Sequence, residues 1–390
     1  MKASGVQVPP TLAISNHGLR NSGGIERYAM TLVRGLHARG ITPTVLAKAF
    51  DTALPEYGWV KPVHLPVNSV PGKLRDLFFD WRIGRAKRRL GLAPLIACNQ
   101  TRWSDIGICG GTHPGFLEAM GRRANLSDRW KTALERAHLE RSKVIVAHSG
   151  LMRDEAVRFY GIAPGKIRLL YPPVDGDKFS VVSPDARAEL RAELGFTDDR
   201  AVFLLASTGH SRKGLDVLAP LFAATRLPVT LVVAGRPLDR PLPNVRYLGY
   251  RADIENVYRA ADFTVMASHY EPFGLVGVES ILCGTPVLLA QSAGCAEVII
   301  GEGRIAFDLA SPTSLEQALE TAVDQWQHGH HRLAKPQESL TYDPNVDSHL
   351  GALLSLAGAG WPSCTARRDC ADRLGASTPS TPSTQRDRPR

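Results

Sequence analysis

The sequence predicts an α/β protein made of two doubly wound domains with parallel sheets. Three observations support this: the chain has 390 residues, short apolar segments alternate with amphipathic ones, and the alternation starts afresh after Pro172 and Pro173. A single hydrophobic core rarely grows beyond about 250–300 residues, so this length favours two domains. We place the domains at residues 1–172 and 173–345, a closing helix at 346–360 and a disordered tail at 361–390.

The first half of the chain alternates between apolar strands and amphipathic helices. The strand TLAIS is followed by a Gly-rich loop and then by a helix that Gly40 closes. Ser149 can cap a later helix through its side-chain oxygen. Strands are predicted at 11–15, 44–47, 95–98, 106–109 and 144–147 and from 166 onwards, and helices at 25–40, 73–92, 131–142 and 150–160.

The loop between the first strand and the first helix contains Gly23 and Gly24. Ser22 or Gly23 can cap the helix, whose first amides and dipole favour a phosphate above the end of the strand. The loop does not follow the GxGxxG pattern, so the dinucleotide fingerprint is absent. A plain tight turn is the alternative to a phosphate contact.

The helix predicted at 73–92 is amphipathic and strongly basic. One interpretation is a surface helix that packs on the core and keeps a solvated basic side. The other is contact with an anionic membrane surface or a phosphorylated lipid acceptor. Its apolar residues at helical spacing are Leu74, Leu77, Phe78 and Trp81, and its cations include Arg82, Arg85, Lys87, Arg88 and Arg89.

His113 lies in the segment GGTHPGF, directly after the strand at 106–109. This places it on a loop at the carboxyl end of a strand, where open α/β sheets bind ligands. A lone histidine is often structural, but glycine and proline neighbours suit a core poorly. A site role and a structural role both stay open.

The second half repeats the alternation of strands and helices. Arg212 and Lys213 follow its first strand, and Gly214 lets the backbone approach a ligand closely. The two cations suit a diphosphate, with a solvated turn as the alternative. Strands are predicted at 201–207, 229–235, 244–250, 262–268 and 287–290, and helices from 215 and at 253–261, 312–327 and 345–357.

The stretch from Ser268 to Glu297 carries two carboxylates beside a predicted helix start. Pro and Gly residues interrupt the chain after Glu271, and Glu279 lies inside the helix that follows. The free amides at the start of such a helix favour an anion or a hydroxyl group. The residues that would form this pocket are Phe273, Gly274 and Leu275.

The net charge of +9 attracts nucleic acid, anionic lipid and phosphorylated substrates alike. Part of the excess comes from arginines of the predicted tail, which weakens the nucleic-acid interpretation. No signal pattern and no apolar run of about 20 residues is present, so we expect a cytoplasmic protein. The six cysteines lack C-x-x-C spacing, and Asp175 and Asp177 form a D-x-D in a linker, so we expect neither a metal site nor a disulfide framework.

Several of these motifs together resemble the retaining GT-B glycosyltransferases of family 4. EPFGLVGVE, residues 271–279, resembles the E-x7-E motif of that family. GGIER at 23–27, SRKG at 211–214 and the segment from 145 to the Pro-rich linker resemble its other signatures, and the similarity spans about residues 11–350. GGTHPGF and SRKG look most like lipopolysaccharide core glycosyltransferases of the glucosyltransferase I type.

The resemblance implies two Rossmann-like domains that face each other across a cleft. It also implies transfer of a hexose, with retention, from a nucleotide-sugar, a UDP-sugar, to a lipopolysaccharide core or other lipid-linked glycan, without a metal or other cofactor. The protein would act at the inner face of the inner membrane. By position, Glu279 would bind the ribose, and Tyr250 and Arg251 would border the base. The sugar would be held by Glu271, by the amides of Phe273, Gly274 and Leu275, and by His113. The diphosphate would be bound by Arg212 and Lys213, and from the other domain by Gly23 and Gly24.

One departure and two alternatives accompany the resemblance. Many members of the family have a Gly-Arg pair after the first strand of the second domain, where this chain has residues 207–210, STGH. One cation for the phosphates is therefore missing or is supplied by Arg212. The alternatives are a sugar-nucleotide epimerase of the same fold and a catalytically silent paralogue that binds lipid or protein through the basic helix.

Overall fold

The computed structural model describes residues 11–20 and 23–358, in which the strands form two parallel sheets. The tail predicted at 361–390 and the proposed cap Ser22 lie outside the described residues. The strands are β1 Ala13–Leu19, β2 Thr44–Phe50, β3 Lys61–His64, β4 Leu95–Ala97, β5 Ile106–Cys109, β6 Val144–Ala147, β7 Ile167–Leu169, β8 Ala201–Ser207, β9 Val229–Gly235, β10 Val245–Gly249, β11 Phe263–Met266, β12 Val287–Ala290 and β13 Arg304–Phe307. The helices are α1 Gly24–Ala38, α2 Arg75–Leu90, α3 His113–Ala119, α4 Leu126–Arg141, α5 Gly150–Tyr160, α6 Pro184–Leu194, α7 Leu215–Ala224, α8 Ile254–Ala260, α9 Leu275–Leu282, α10 Pro312–Gln327 and α11 Val346–Gly358.

Both sheets have a doubly wound strand order. Neighbouring strands run β3-β2-β1-β4-β5-β6-β7 in the first sheet and β10-β9-β8-β11-β12-β13 in the second. The order reverses between β1 and β4 and between β8 and β11, and ligands bind outside the carboxyl ends of strands at such points. The predicted fold class is therefore confirmed, and the loops after β1, β8 and β11 are the places to look for a site.

The central strands are buried and read as almost continuous apolar runs. β8 is AVFLLAS and β9 is VTLVVAG, a composition typical of parallel strands that helices cover on both faces. The last helix, α11, packs against α1, where Leu350 and Leu353 are fully buried. The described chain thus ends on the domain in which it began. Among the described helices, none combines the length and the apolar character needed to cross a membrane.

Four elements of the fold were not predicted from the sequence: β3, β13, α3 and α6. The first two are edge strands, and β3 is mostly exposed, so neither carries the apolar run on which the strand predictions rested. α6 is rich in charged residues and lacks a wide apolar stripe. Its start is nevertheless well defined, because the Ser183 hydroxyl accepts a hydrogen bond from the amide of Ala186 at 3.2 Å.

Candidate active site

The carboxyl ends of the two sheets border a cavity of about 440 Å³. Loops after β1 and β6 contribute to it from the first domain, and loops after β8, β9, β10 and β11 contribute from the second. All the predicted site residues line this cavity except His113. Those brought together are Gly23, Gly24, Arg212, Lys213, Tyr250, Arg251, Glu271, Phe273, Gly274, Leu275 and Glu279.

Glu271 lies in the loop between β11 and α9 and is held entirely by its own domain. Its carboxylate contacts the Lys213 ammonium, accepts a hydrogen bond from the Ser268 hydroxyl at 3.1 Å and lies 3.4 Å from Nη1 of Arg212. Burial alone would raise the pKa of Glu271, but the charges of Lys213 and Arg212 outweigh it and hold the pKa below its usual value. Glu271 is therefore ionised and orients two cations at the cavity wall.

Two glycines let the loops of the second domain come together. Gly214 has φ +75°, and a Cβ atom there would lie 1.9 Å from the carbonyl oxygen of Ala267. Gly274 has φ +97° and precedes α9, which has no side-chain cap. Only glycine adopts such backbone angles without strain. The amides at the start of α9 therefore stay free of a capping side chain beside the cavity.

Glu279, one turn into α9, is paired across the cleft with the first domain. Its Oε1 atom lies 3.1 Å from Nη1 of Arg27 on α1, and its Oε2 atom accepts a hydrogen bond from the Tyr258 hydroxyl at 3.2 Å. The Glu279 side chain is 4% exposed and that of Arg27 is 40% exposed. The Glu279 carboxylate raises the pKa of Arg27. The ion pair thus joins the two domains directly inside the cavity.

The residues on either side of Glu271 are also held by the first domain. The Tyr270 hydroxyl donates to the Glu155 carboxylate at 2.8 Å and lies 2.9 Å from the amide of Thr112, which donates to it. The carbonyl of Pro272 accepts a hydrogen bond from the Ser149 hydroxyl at 2.6 Å. Both flanks of the Glu271 loop are therefore positioned by residues of the first domain.

The structure places His113 in a different position from the predicted one. Thr112 caps α3, so His113 is the first residue of a helix rather than part of a loop. Its Nε2 atom lies 2.9 Å from Asp128 of α4, and its amide donates to Glu135 at 2.8 Å. It lines a second cavity, of about 260 Å³, between α2 and α4. The structure therefore does not bring His113 into the cavity that the other predicted residues line, and Asp128 holds the imidazole on the side of the second cavity.

Sequence reasoning missed several cavity residues, among them Arg27, Tyr258 and His148. Arg27 belongs to the GGIER motif, but only its glycines drew attention. Tyr258 lies on α8 among its buried residues, and nothing in the local sequence distinguishes it from a residue of the core. His148 follows β6 and packs edge-on against Tyr28, with 4.6 Å between the ring centroids, and burial lowers its pKa to about 3. Its position directly after a strand is a signal that could have identified it.

Comparison with protein families gives two adjoining matches. Residues 22–178 match Glycosyltransferase Family 4, and residues 186–337 match Glycosyl transferases group 1. A probable transglycosylase of Burkholderia thailandensis is 46% identical over 350 residues, which are 89% of this chain and 96% of that protein. A D-inositol 3-phosphate glycosyltransferase of Xylanimonas cellulosilytica is 27% identical over 341 residues, with 75% of this chain and 81% of that protein covered.

Solved structures share the two-domain architecture. WaaG, a glycosyltransferase involved in lipopolysaccharide biosynthesis, has a TM-score of 0.76 and 19% identity, covering 90% of this chain and all of its own. HepE of Anabaena in complex with UDP and glucose has a TM-score of 0.68 and 18% identity, covering 88% of this chain and 99% of its own. At these identities the likeness bears on the fold alone, and it agrees with two parallel-sheet domains that enclose a cleft.

Proposed function

The chain belongs to the GT-B glycosyltransferases that join a family 4 domain to a group 1 domain, and from this membership we propose a specific transfer reaction. The protein moves a hexose from a UDP-sugar, with retention, to a lipopolysaccharide core or another lipid-linked glycan. The family match favours a transferase over the epimerase and the silent paralogue considered from the sequence.

The observation that carries the proposal is the set of charges around the cleft cavity. Arg212 and Lys213 stand at one wall, held by Glu271, and the uncapped start of α1 at Gly23 and Gly24 stands at the other. Cationic side chains and free helix amides are what a diphosphate requires. Glu279 is a buried carboxylate of the kind that accepts hydrogen bonds from a ribose diol.

The same charges suit the chemistry of glycosyl transfer. The bond between the anomeric carbon and the phosphate oxygen breaks, and its electron pair leaves with the diphosphate. The acceptor oxygen forms the new bond to the anomeric carbon, and its proton passes to the departing phosphate. Negative charge grows on the leaving group, so cations fixed beforehand stabilise the transition state, and we propose that the side chains do this without a metal.

The donor proposal draws further support from a protein of the same fold. HepE has been solved with UDP-glucose, with a TM-score of 0.66 to this chain. In this chain Tyr250 and Arg251 line the cavity near the carboxyl end of β10, where a base can stack on the exposed Tyr250 ring. A uracil base at this place fits the proposed UDP-sugar.

The acceptor proposal is supported by an exposed apolar face on the first domain. Leu77 and Trp81 of α2 are 39% and 50% exposed, and Leu126 and Trp130 of α4 are 73% and 48% exposed. Exposed cations surround them on both helices. Large apolar side chains among cations are typical of proteins that lie on anionic membranes, which supports a peripheral location at the inner face of the inner membrane.

A transfer assay tests the proposal. The protein is incubated with UDP-, GDP- or ADP-hexoses and a truncated lipopolysaccharide core lipid, and the product is followed by mass spectrometry and its anomeric configuration by NMR. We expect product from a UDP-hexose with the anomeric configuration of the donor, and loss of product in Glu279→Gln. Glu302→Gln, an exposed residue outside the cavity, serves as the control. Transfer from another nucleotide, or inversion, would contradict the corresponding part of the proposal.

A further inference from the structure

Arg27 differs from the other cations of the cavity in where it comes from. Of the Arg and Lys residues that line the described cavity, it is the one that lies within residues 1–172. It lies on the first turn of α1, three residues after Gly24, and its guanidinium reaches Glu279 of the second domain at 3.1 Å. Its partner is a carboxylate that a nucleotide's ribose would also use.

The two partners of Glu279 differ in their freedom to move. Tyr258, which donates to Oε2, is 1% exposed and is packed in the core of the second domain. Arg27, which holds Oε1, has a long flexible side chain that is 40% exposed. A hydroxyl group that approaches Glu279 from the cavity would therefore displace Arg27 more readily than Tyr258.

The other basic side chains near the cavity belong to the second half of the chain and have their partners within it. His210 follows β8, but its ring bonds to the Ser207 hydroxyl at 2.8 Å and to the carbonyl of Pro237 at 3.0 Å, and it does not line the cavity. Arg212 and Lys213 hold Glu271, Arg251 pairs with Asp253 at 2.6 Å, and Lys178 pairs with Glu255 at 3.3 Å.

We propose that Arg27 exchanges partners when a nucleotide-sugar binds: it neutralises Glu279 in the empty cavity and moves to the diphosphate when the ribose hydroxyls take Glu279. This inference rests on the proposed function. Neither charge is left unpaired at any stage, because the ribose diol donates to Glu279 and the phosphates accept from the guanidinium. The guanidinium fork matches phosphate oxygens, and the free amides of α1 face the same anion.

The exchange also has a consequence for the two domains. Because α1 belongs to the first domain, Arg27 bonds that domain to a donor that the second domain holds. Donor binding thus replaces a contact between two protein groups with one that runs through the ligand. Arg27 would then contact the donor directly. The contact between the first domain and the bound donor would therefore depend on an intact diphosphate.

The test compares a ligand that has phosphates with one that lacks them. Binding of UDP and of uridine to the full chain is measured by calorimetry and by ligand-observed NMR, for the wild type and for Arg27→Gln. We expect UDP to bind about tenfold more weakly to the variant, a loss of about 1.4 kcal/mol. We expect uridine to bind at least as tightly as to the wild type, because the competitor for Glu279 has been removed.

Two control variants separate this role from a general loss of structure. Arg34→Gln, on the same helix, breaks a similar ion pair, to the buried Glu56 at 2.6 Å, but lies outside the cavity, so it should leave both affinities unchanged. Arg27→Lys keeps the charge without the fork and should recover part of the UDP affinity.

The outcomes are distinct. Equal weakening of uridine and UDP in Arg27→Gln overturns the inference, because it means that Arg27 only holds Glu279 in place. Unchanged UDP binding overturns it as well. If the wild type binds ADP or GDP instead of UDP, the same comparison is made with adenosine or guanosine, and only the proposed uracil base is wrong. A wild type that binds none of the three refutes the proposed donor class and this inference with it.

Discussion

Lys213 and Glu271 are the closest pair of opposite charges in the cavity, and each depends on the other. Glu271 is 8% exposed and stays ionised because Lys213 and Arg212 face it. Lys213 is in turn held at the cavity wall, where its side chain is 12% exposed. A buried pair of this kind contributes little net stability, since desolvation offsets most of the attraction. Its value here is that the ammonium is fixed before the ligand arrives.

Replacing Lys213 alone leaves the buried Glu271 with Arg212 at 3.4 Å as its remaining cation, so we expect a loss of stability and, beyond it, an effect on the reaction. In Lys213→Met we expect kcat for hexose transfer to fall about a hundredfold or more, because one preorganised cation is lost at the leaving diphosphate. Steady-state kinetics with the proposed donor measure this. Lys335→Met, which removes an exposed lysine paired with Glu338 at 3.0 Å outside the cavity, should leave kcat unchanged. Equal kcat in both variants would remove Lys213 from the proposed site.

Asp262 shows the opposite use of charge, because it stabilises the fold away from the cavity. It is 1% exposed and lies 2.6 Å from Arg187, 3.2 Å from Arg191 and 3.2 Å from His331. Burial alone would raise its pKa, but hydrogen bonding to His331 and the charge of Arg191, with the Val202 amide and Arg187, lower the pKa to about 2.

The depressed pKa of Asp262 predicts a definite pH dependence of stability. Its contribution is fully present above the unfolded carboxyl pKa of about 4 and is lost as the pH falls through about 2. Asp262→Asn should thus cost about 3 kcal/mol of unfolding free energy at pH 7 and progressively less below pH 4. Urea unfolding at pH 7, 4 and 2.5 tests this, and a cost that does not shrink with acid would show that Asp262 acts through shape alone.

At the scale of elements, the sequence predicted best the elements whose apolar residues form a regular pattern. β8, β9 and α10 have the predicted bounds, because their apolar residues follow the period of one element type and turn or cap residues flank them. The edge strands β3 and β13 were not predicted, whereas the edge strands β7 and β10 were, because these two lie in the more apolar segments IRLLY and VRYLGY.

The candidate site followed a similar division. The loops after β1, β8 and β11 were located because glycine, proline and charged residues cluster at strand ends. The residues that these loops contact across the cleft were not located from the sequence. The ion pair of Arg27 with Glu279 joins residues 252 positions apart, and nothing local marks either side chain as the other's partner. The orientation of His113 could not be predicted for the same reason, because its ring contacts Asp128 of another helix.

The loop between β8 and α7 permits a matched test of backbone geometry. A Cβ atom at Gly214 would meet the backbone of Ala267, which cannot yield as a flexible side chain can, and φ there is +75°. Gly214→Ala should destabilise the second domain by about 1–3 kcal/mol and displace Arg212 and Lys213. We expect a lower Tm by differential scanning calorimetry and a loss of UDP affinity.

Gly209, in the same loop, has open space around its Cα atom. Gly209→Ala is therefore the control, and it should leave both Tm and UDP affinity near the wild-type values. If the two alanine variants behaved alike, close backbone approach at Gly214 would not be what shapes this loop.

At the scale of the whole molecule, the basic helix predicted from the sequence has one part that contacts the fold and another part that is exposed. Lys87 pairs with the buried Asp105 at 2.6 Å, and Arg88 lies over the Trp103 ring at 4.7 Å. Reversing the charge at Lys87 would therefore unpair a buried carboxylate and disturb the fold. The exposed part, with Trp81 and Arg85, has no buried ion pair of this kind and carries the proposed membrane contact.

The two exposed tryptophans of the first domain decide whether it binds a membrane through this face. In the double variant Trp81→Ser and Trp130→Ser, we expect loss of most binding to vesicles of phosphatidylglycerol and phosphatidylcholine, because these rings supply apolar area at the interface. Co-sedimentation measures the bound fraction. Binding of the wild type should also weaken on raising the salt from about 0.05 M to about 0.5 M, since salt screens the surrounding cations.

The matched control for this face removes apolar side chains of similar exposure elsewhere. Val181 and Ile300 are 46% and 38% exposed and lie in the second half of the chain. Val181→Ser with Ile300→Ser should leave vesicle binding unchanged, because these residues lie outside the exposed face of α2 and α4. Equal loss of binding in the two double variants would mean that exposed apolar area in general, and not this face, binds the vesicles. If both double variants kept their vesicle binding, the face formed by α2 and α4 would not be the membrane contact. The acceptor's lipid would then bind elsewhere on the molecule.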